Sequence, residues 1–252
     1  MRRPPVTATS VTLRAASGMM VPRLEPLLSI IVPVYNERAT IGAVLERLLT
    51  IDLPVAREII AVDDGSSDGT GAELSAAATR SPLITAVHLA QNGGKGLALR
   101  TGLARTAGTI VAIQDADLEL DPAQLAGLVE PLLRNEADAV YGSRFMSGSA
   151  HVPLMTRVGN RSLTMLTNAL YGASLTDMET CYKIMRGDLA RSLPLTANRF
   201  DIEPEITVQL LRSGARIKEL PVTFSPRSRA AGKKIRWRDG WHAVRLLVSH
   251  RF

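Results

Sequence analysis

Residues 28–37 read LSIIVPVYNE, a short β-branched apolar run that stops at Tyr35-Asn36-Glu37. Apolar residues then recur at helical spacing from Ile41 to Leu49. A second apolar run, Glu58–Val62, stops at the polar sequence DDGSSDG, residues 63–69. Strand-like runs follow near Leu83–Leu89, Thr109–Ile113 and Ala139–Tyr141. A strand and a helix therefore alternate about every 25 residues through the first 145 residues.

This alternation predicts an α/β fold, in which helices cover both faces of a mostly parallel central sheet. The strand runs are nearly all apolar, as expected for strands that are buried on both sides. Ligands of such sheets bind at the carboxyl ends of the strands. In this sequence those ends carry polar residues at Tyr35–Glu37, Asp63–Asp64, Gln114–Asp117 and Gly142–Arg144. We therefore predict a single Rossmann-like domain with its site at that edge.

Composition excludes several classes of protein. The 252 residues are 46% apolar and 21% charged, which is typical of a globular chain with a core. The single cysteine, Cys181, excludes an internal disulfide and a cysteine-cluster metal site, and we interpret it as a small core residue. No run approaches 18 uninterrupted apolar residues, so the sequence predicts no transmembrane helix.

The net charge of +6 is unevenly distributed. Residues 206–252 have a balance of +9, whereas residues 29–205 have a balance of −6. A basic end of this kind binds nucleic acid, anionic lipid or phosphorylated ligands. Aromatic residues make up only 4% of the chain, which leaves few stacking platforms for nucleic-acid bases. We therefore expect a phosphate ligand or a membrane surface, and no nucleic acid.

Asp115-Ala116-Asp117, with Glu119 two residues later, is the motif most indicative of chemistry. Side chains two apart on an extended segment point the same way, so the three carboxylates are expected to converge. Such a group favours Mg²⁺ or Mn²⁺, which binds one or two carboxylates and completes its coordination with water and substrate phosphates. The alternative is a solvated acidic turn before a helix that begins at Pro122 and extends to about Asn135.

Two glycine-rich turns allow more than one interpretation. Residues 65–69, GSSDG, match the G-x-S-x-G nucleophile elbow of hydrolases, but no suitable later acid and histidine are apparent. The favoured interpretation is a helix N-cap turn that leaves Asp64 free to bind a ligand. Residues 92–96, NGGKG, lack the spacing and the Ser or Thr of a Walker loop, and we interpret them as a glycine-rich helix start.

Basic residues form the remaining candidates. Arg144 follows the fifth strand, and the four-residue spacing of Arg157 and Arg161 predicts that they share a helix face. The planar guanidinium of arginine is suited to binding phosphate. The alternative is that Arg157 and Arg161 are ordinary surface arginines. Residues 225–236 form a basic loop rich in Pro, Ser and Gly. The amphipathic segment after it contains Trp237 and Trp241, and it either lies at a membrane surface or packs on its own domain.

Taken together, PVYNE (33–37), VDDGSSD (62–68), DAD (115–117) and GSRF (142–145) resemble family 2 glycosyltransferases of the GT-A fold. TDMETCYK (176–183) and the RSRAAGKK segment (227–234) resemble the dolichol-phosphate mannosyltransferase branch. The resemblance implies inverting transfer of one hexose from a nucleotide-diphosphate sugar, GDP-mannose or UDP-glucose, to a polyprenyl or dolichyl phosphate. It also implies a requirement for Mg²⁺ or Mn²⁺.

The resemblance implies a role for each matched position. The residues that it assigns to the nucleoside are Pro33, Tyr35, Glu37, Val62 and Asp64. The residues that it assigns to the metal and the donor diphosphate are Asp115, Ala116, Asp117 and Glu119, although Glu119 stands where the family often has Gln. The residues that it assigns to donor or acceptor phosphates are Arg144, Arg227 and Lys233, and we expect Arg157 and Arg161 at the acceptor phosphate. Asp117 and Arg144 are the expected catalytic residues.

The acceptor decides which further residues take part in the chemistry. A phosphate acceptor is already anionic, so it needs no strong general base, whereas a sugar hydroxyl needs one. The candidate bases are Asp177, Glu179, Glu203 and Glu205. Three alternatives stay open at this stage: transfer to a soluble or polymer saccharide, nucleotidyl transfer, and a non-catalytic nucleotide-binding protein at the membrane.

The sequence divides into three regions. We expect a disordered leader over residues 1–26, the catalytic domain over 27–224, and the basic loop with an amphipathic helix over 225–252. The expected location is cytoplasmic, with peripheral contact to the inner face of the membrane through the C-terminal region. Some relatives of the resembled branch carry C-terminal membrane spans, which this sequence does not show.

Overall fold

The structure is a computed structural model that describes residues 25–146, 152–226 and 237–251. The expected leader, residues 1–26, lies outside the described residues except for its last two. The first half of the chain alternates strands and helices: β1 (Leu27–Val34), α1 (Ile41–Thr50), β2 (Ala56–Asp63), α2 (Thr70–Arg80), β3 (Ile84–His88), α3 (Lys95–Leu103) and β4 (Ile110–Ile113).

The second half contains three more strands and helices that range from 6 to 18 residues. Its elements are a 3₁₀ turn (Pro122–Gln124), α4 (Leu125–Leu133), β5 (Ala139–Ser143), α5 (Leu154–Tyr171), β6 (Lys183–Arg186), α6 (Gly187–Ser192), α7 (Ile202–Arg212), β7 (Ile217–Pro221) and α8 (Trp237–Ser249). The helix predicted from Pro122 is shorter than expected. Asp121 caps a 3₁₀ turn by accepting from the Ala123 N–H, and the α-helix runs only from Leu125 to Leu133.

The seven strands form one sheet in the order β3-β2-β1-β4-β6-β5-β7. Strand β6 is antiparallel to β4 and β5, and every other neighbouring pair is parallel. The predicted mostly parallel α/β sheet in one domain is therefore confirmed. The antiparallel strand β6 was not predicted, because its four residues, KIMR, have no apolar run of their own.

The central strands form the core because their side chains are buried on both faces of the sheet. All four residues of β4 and all five of β5 are buried, and β1 is buried over most of its length. Helix α1 contributes Ile41, Val44, Leu45 and Leu48 at helical spacing, as its pattern predicts. Within the described residues, no helix is both long enough and apolar enough to span a bilayer.

The topology brings the polar strand ends to one edge of the sheet. The parallel strands β1, β2 and β4 end at Val34, Asp63 and Ile113, directly before the polar motifs. Because β6 runs the other way, its first residue lies at this same edge. The segment 176–182, which leads into β6, is thereby placed beside the ends of β4 and β5.

Candidate functional site

The acidic motif after β4 adopts a turn rather than an extended segment. Leu118 has a φ of 60°, and the Glu119 N–H donates to Asp117 Oδ1 at 3.1 Å. This left-handed residue breaks the alternation that would point the three carboxylates the same way. The described residues contain no group of three or more acidic, histidine or cysteine side chains arranged to hold a metal. The predicted convergence of Asp115, Asp117 and Glu119 is therefore wrong.

Glu119 lies in different surroundings from the two aspartates. It lines an open cavity of about 300 Å³ whose other lining residues are Arg47, Leu118, Asp121, Gln124, Thr223 and Ser225. Neither aspartate is among the described residues that line this cavity. A divalent cation of the Mg²⁺ type needs only one or two carboxylates, and Asp115 and Asp117 are both partly exposed. The pair therefore fits such an ion, whereas a third ligand from Glu119 is not preformed.

A lysine that the sequence analysis missed fixes the first of these aspartates. Lys95 Nζ lies 2.8 Å from Asp115 Oδ1 and 2.7 Å from Glu203 Oε1. Burial alone would lower the pKa of Lys95 and raise that of Asp115, but their attraction reverses both shifts. The signal available in the sequence was a lone lysine at the start of a glycine-rich helix. Lys95 therefore fixes the orientation of the Asp115 carboxylate.

Glu203 connects Lys95 to a second buried lysine. The fully buried Lys183 ammonium bonds to Glu203 Oε2 and to the Thr180 carbonyl oxygen. Burial alone would raise the pKa of Glu203, but the Lys183 and Lys95 ammonium groups hold it below its ordinary value. Cys181 is buried nearby, and burial together with the Asp115 charge raises the pKa of its thiol. This is the small buried residue that the sequence predicts.

Arg144 is held at the end of β5 by a buried carboxylate. Its Nε and Nη2 donate to the two oxygens of Asp177 at 2.7 and 2.8 Å, and its backbone N–H donates to the same group at 3.0 Å. Asn160, in the amide orientation that satisfies its neighbours, accepts from Arg144 Nη2 at 2.9 Å. Asp177 has no exposed surface, so it positions the arginine and is not available as a general base.

Two of the three described arginine candidates lie beside the same aromatic ring. The guanidinium carbons of Arg144 and Arg161 lie 5.8 and 5.7 Å from the centroid of Phe145. Arg157 lies one turn before Arg161 on α5. The other two predicted phosphate ligands, Arg227 and Lys233, lie outside the described residues. The structure thus places a cationic surface next to the end of β5.

The residues predicted to contact a nucleoside lie at the ends of β1 and β2. Pro33 and Val62 are register partners on these adjacent strands. The Asn36 N–H donates to Ser66 Oγ, and Asn36 Oδ1 accepts from the Ser67 N–H, each at 2.9 Å, which fixes the loop that carries Tyr35. The Thr40 hydroxyl lies within hydrogen-bond distance of Glu37 Oε2 and of the Ala116 carbonyl oxygen. Glu37 and Ala116 are thereby connected, while their ligand contacts remain predictions.

Asp64 is not left free by its turn, contrary to the sequence prediction, while its contact with a nucleoside stays a prediction. Its carboxylate accepts hydrogen bonds from the Asn92 side chain and from the Gly93 and Gly94 N–H groups, at 2.7–2.9 Å. The Leu97 N–H donates to the Asn198 carbonyl oxygen. Because these amides are already engaged, the glycine-rich segment is not an anion-binding loop. The segment leads directly into α3, whose first residue is Lys95.

The four candidate general bases differ sharply in their surroundings. Asp177 and Glu203 form the ion pairs described above, and Glu205 accepts from the backbone N–H groups of Thr196 and Ala197 at 2.9–3.0 Å. Glu179 is different, because among the described residues its buried Oε1 atom has neither a hydrogen bond nor an ion pair, whereas the buried Oε1 of Glu203 lies 2.7 Å from the Lys95 ammonium. Burial raises the pKa of Glu179 to about 7, with Lys183 opposing the rise and Glu203 adding to it. Only Glu179 therefore has the properties of a proton acceptor near neutral pH.

Replacing Glu179 by Gln is expected to remove a pH dependence of stability. The native carboxyl titrates near pH 7 against 4.5 for an ordinary glutamate, so the native state holds an extra proton between these values. The contribution of this proton to the free energy of unfolding is fully present below pH 4.5 and is lost as the pH rises through 7. The loss in the free energy of unfolding is at most about 3 kcal/mol. Urea unfolding at pH 5 and pH 8 should show the Gln variant gaining stability relative to wild type at the higher pH.

The control for this prediction is Glu73→Gln, which makes the same change at an exposed position on α2. Its difference from wild type should be the same at pH 5 and pH 8. If the Glu179→Gln variant also shows a constant difference, the raised pKa of Glu179 is wrong.

The hydrolase alternative is not supported by the geometry. Ser67 lies in the turn before α2, where its N–H donates to Asn36 Oδ1. A Ser–His–Asp chain does occur nearby: Ser75 Oγ lies 3.0 Å from His88 Nε2, and His88 Nδ1 lies 3.2 Å from Asp63. Ser75 is in the middle of α2, however, and its hydroxyl donates to the Gly71 carbonyl oxygen. Backbone N–H groups in a helix interior cannot form an oxyanion hole.

Comparisons with known proteins agree with this architecture. The profile of Glycosyl transferase family 2 matches residues 29–193. The chain is 31% identical over 212 residues to undecaprenyl-phosphate mannosyltransferase from Micrococcus luteus, covering 81% of this chain and 85% of that protein. It is 28% identical to dodecaprenyl-phosphate galacturonate synthase from Rhizobium johnstonii, covering 82% of this chain and 61% of that protein.

A solved structure has the same fold. Glucosyl-3-phosphoglycerate synthase from Mycobacterium tuberculosis, in complex with Mn²⁺, uridine diphosphate and glucosyl-3-phosphoglycerate, superposes with a TM-score of 0.66 at 22% identity. The match covers 89% of this chain and 80% of that one. The likeness supports the predicted GT-A architecture at the level of fold.

Proposed function

The chain belongs to glycosyl transferase family 2, and from that premise we propose that it transfers one hexose from a nucleotide-diphosphate sugar to a polyprenyl phosphate. GDP-mannose and UDP-glucose are the proposed donors. As a glycosyltransferase it is an enzyme, so the nucleotidyltransferase and the non-catalytic binding protein considered from the sequence are set aside.

The acceptor assignment rests on one observation: two arginines lie together at the end of β5, whereas most of the candidate general bases are already engaged by other groups. Arg161 and Arg144, whose guanidinium is paired with Asp177, lie beside Phe145, whereas three of the four candidate bases are occupied by ion pairs or backbone amides. A phosphate oxygen is anionic at neutral pH and attacks without losing a proton, so it needs cations for binding and no base. The named activities of the two relatives, which involve prenyl phosphates, support the same class of acceptor.

In this proposal Asp115 and Asp117 hold a divalent cation, Mg²⁺ or Mn²⁺. A bound cation of this kind neutralises the charge that develops on the departing diphosphate. Lys95 keeps Asp115 ionised and fixed in direction, and Asp177 fixes the plane of the Arg144 guanidinium. These groups are positioned before substrate binds, so little reorganisation is required as charge develops.

The nucleoside would lie over the ends of β1 and β2. There the fixed loop carrying Tyr35 would supply one wall, with Pro33 beside it and its register partner Val62 fully buried beneath. Glu37 is connected to Ala116 beside the acidic turn. Asp64 supports this wall indirectly by holding the glycine-rich segment. Arg157, Arg227 and Lys233 remain proposed phosphate ligands.

The test is release of nucleoside diphosphate from a panel of nucleotide sugars, with Mn²⁺ or Mg²⁺, and with or without undecaprenyl phosphate. We expect release that depends on both the metal and the lipid, and a sugar-labelled product that extracts into organic solvent. Donor binding without lipid-stimulated release would contradict the proposed acceptor.

A second acceptor class has one observation in its favour. The Glu179 carboxyl, with its pKa near 7 and an unpartnered oxygen, is suited to accept a proton from a hydroxyl. Transfer to a soluble or polymer saccharide would then depend on this residue. In that case Glu179→Gln would abolish turnover, whereas transfer to a phosphate acceptor should tolerate the change.

A further inference from the structure

Gln114 is a fully buried polar residue that has no part in the chemistry proposed above. It follows β4 and directly precedes the acidic turn, residues 115–120. Burying an amide side chain is unfavourable unless its donors and its acceptor find hydrogen-bond partners. The partners of Gln114 therefore indicate its role.

The amide group of Gln114 joins the two ends of the acidic turn. Its Nε2 atom donates to the carbonyl oxygen of Asp115 at 3.0 Å and to that of Leu120 at 3.3 Å. The opposite amide orientation would place Oε1 against these two carbonyl oxygens, so the contacts themselves identify the nitrogen. A single NH₂ group thus holds the first and the last residue of the turn together.

Tyr182 holds the same amide from the opposite side. Its hydroxyl donates to Gln114 Oε1 at 2.8 Å, and Tyr182 is also fully buried. Burial raises the pKa of Tyr182, so its hydroxyl keeps the proton that it donates. Tyr182 directly precedes β6, the antiparallel strand that begins at the site edge of the sheet. It therefore fixes the direction in which the Gln114 amide points.

The turn has a shape that its own sequence does not favour. The left-handed conformation of Leu118 is unfavourable for a bulky side chain, and such a conformation persists where surrounding contacts enforce it. The Thr40 hydroxyl donates to the Ala116 carbonyl oxygen at 2.7 Å. The Ser225 N–H donates to the Glu119 carbonyl oxygen at 2.9 Å. These two contacts hold the inner residues of the turn, and the amide described above holds its ends.

We propose that Gln114 and Tyr182 are positioning residues, which hold the acidic turn in the shape that lets Asp115 and Asp117 bind a divalent cation. The inference rests on the proposed function, which assigns the cation to these two carboxylates. The pair acts on the backbone of the turn, and the separation of the two carboxylates is fixed with that backbone. Removing a contact that orients metal ligands from outside commonly weakens metal binding by about 10–100-fold.

The test compares Tyr182→Phe with a matched control, Tyr141→Phe. Tyr141, on β5, is also fully buried, and its hydroxyl lies 2.9 Å from Thr207 Oγ1. Each change removes one buried hydroxyl, so both variants should lose a similar amount of thermal stability. Binding of Mn²⁺, measured by electron paramagnetic resonance with GDP or UDP present, should weaken by about tenfold in Tyr182→Phe. It should keep its wild-type value in Tyr141→Phe.

Hydrogen exchange provides a second measurement, which needs no metal. In the metal-free protein, the peptide that contains residues 115–120 should exchange faster in Tyr182→Phe than in wild type, because a less constrained turn opens more often. The same peptide should exchange at the wild-type rate in Tyr141→Phe.

A variant of the amide itself extends the comparison. Gln114→Met keeps the length of the side chain and removes both donors, so it should affect Mn²⁺ binding and exchange more than Tyr182→Phe does. Adding Tyr182→Phe to Gln114→Met should cause no further loss of Mn²⁺ affinity, because Tyr182 acts through the amide. The comparison of Tyr182→Phe with Tyr141→Phe decides the inference even where Gln114→Met does not fold.

The inference is overturned if either the Mn²⁺ affinity or the exchange of the turn is the same in Tyr182→Phe as in Tyr141→Phe. A double variant that binds Mn²⁺ more weakly than Gln114→Met would also contradict it. The proposed acceptor fails separately: a wild-type chain that passes both tests but glycosylates no prenyl phosphate contradicts the acceptor and leaves the positioning role intact. A wild-type chain that binds no Mn²⁺ with either nucleotide contradicts the proposed cation, and the positioning role with it.

Discussion

Replacing Asp117 by Asn is expected to reduce metal-dependent turnover by about a thousandfold, because the change removes a proposed carboxylate ligand at the departing diphosphate. The folded state should be little affected. Asp117 is partly exposed, and the hydrogen bond that its Oδ1 accepts from the Glu119 N–H can be made by the amide oxygen of Asn. The measurement is kcat/KM for nucleoside diphosphate release as Mn²⁺ is titrated.

The matched control is Asp121→Asn, the same change four residues later in the same acidic stretch. Asp121 caps the 3₁₀ turn and pairs with Arg47 at 3.2 Å, so its role is structural. We expect this variant to retain wild-type metal dependence. If Asp117→Asn keeps more than about a tenth of wild-type activity, Asp117 does not hold the catalytic metal.

The parts of this protein that the sequence predicts are those encoded by local pattern. Strands such as LSIIVPV can be predicted from their apolar, β-branched composition. The polar residues that follow the strands indicate the edge of the sheet at which ligands bind. The family motifs add to this because several occur in order. Fold class and the location of the site therefore follow from short segments.

The parts that could not be predicted depend on contacts between distant segments or on one backbone angle. The role of Lys95 depends on its ion pairs with Asp115 and Glu203, which are 20 and 108 residues away in the sequence. The expected convergence of carboxylates failed because Leu118 adopts a left-handed conformation that its side chain does not favour. The four candidate bases look equivalent in sequence, and only burial and pairing separate Glu179 from the others.

The buried pairing around Glu203 also predicts a large loss of stability. In Glu203→Gln the side chain keeps its shape but loses its charge, so Lys183, which has no exposed surface, loses its carboxylate partner. Lys95 keeps only Asp115. Removing one partner of a buried ion pair costs about 3–5 kcal/mol, since the remaining charge is left uncompensated. For a chain of this size we expect the Tm to fall by roughly 10 °C.

The control for Glu203→Gln is Glu136→Gln, which removes the carboxylate from an exposed pair with Lys218 and should leave the Tm nearly unchanged. The pH dependence supplies a second check. Because the pKa of Glu203 is lowered in the native state, its contribution is present above the ordinary glutamate pKa and is lost as the pH falls through the native value. The Tm difference between wild type and Glu203→Gln should therefore be full at pH 7 and shrink in acid. A difference that stays constant from pH 7 to pH 3 would mean that Glu203 contributes through packing alone, and that the chain from Lys183 to Asp115 is not held by its charge.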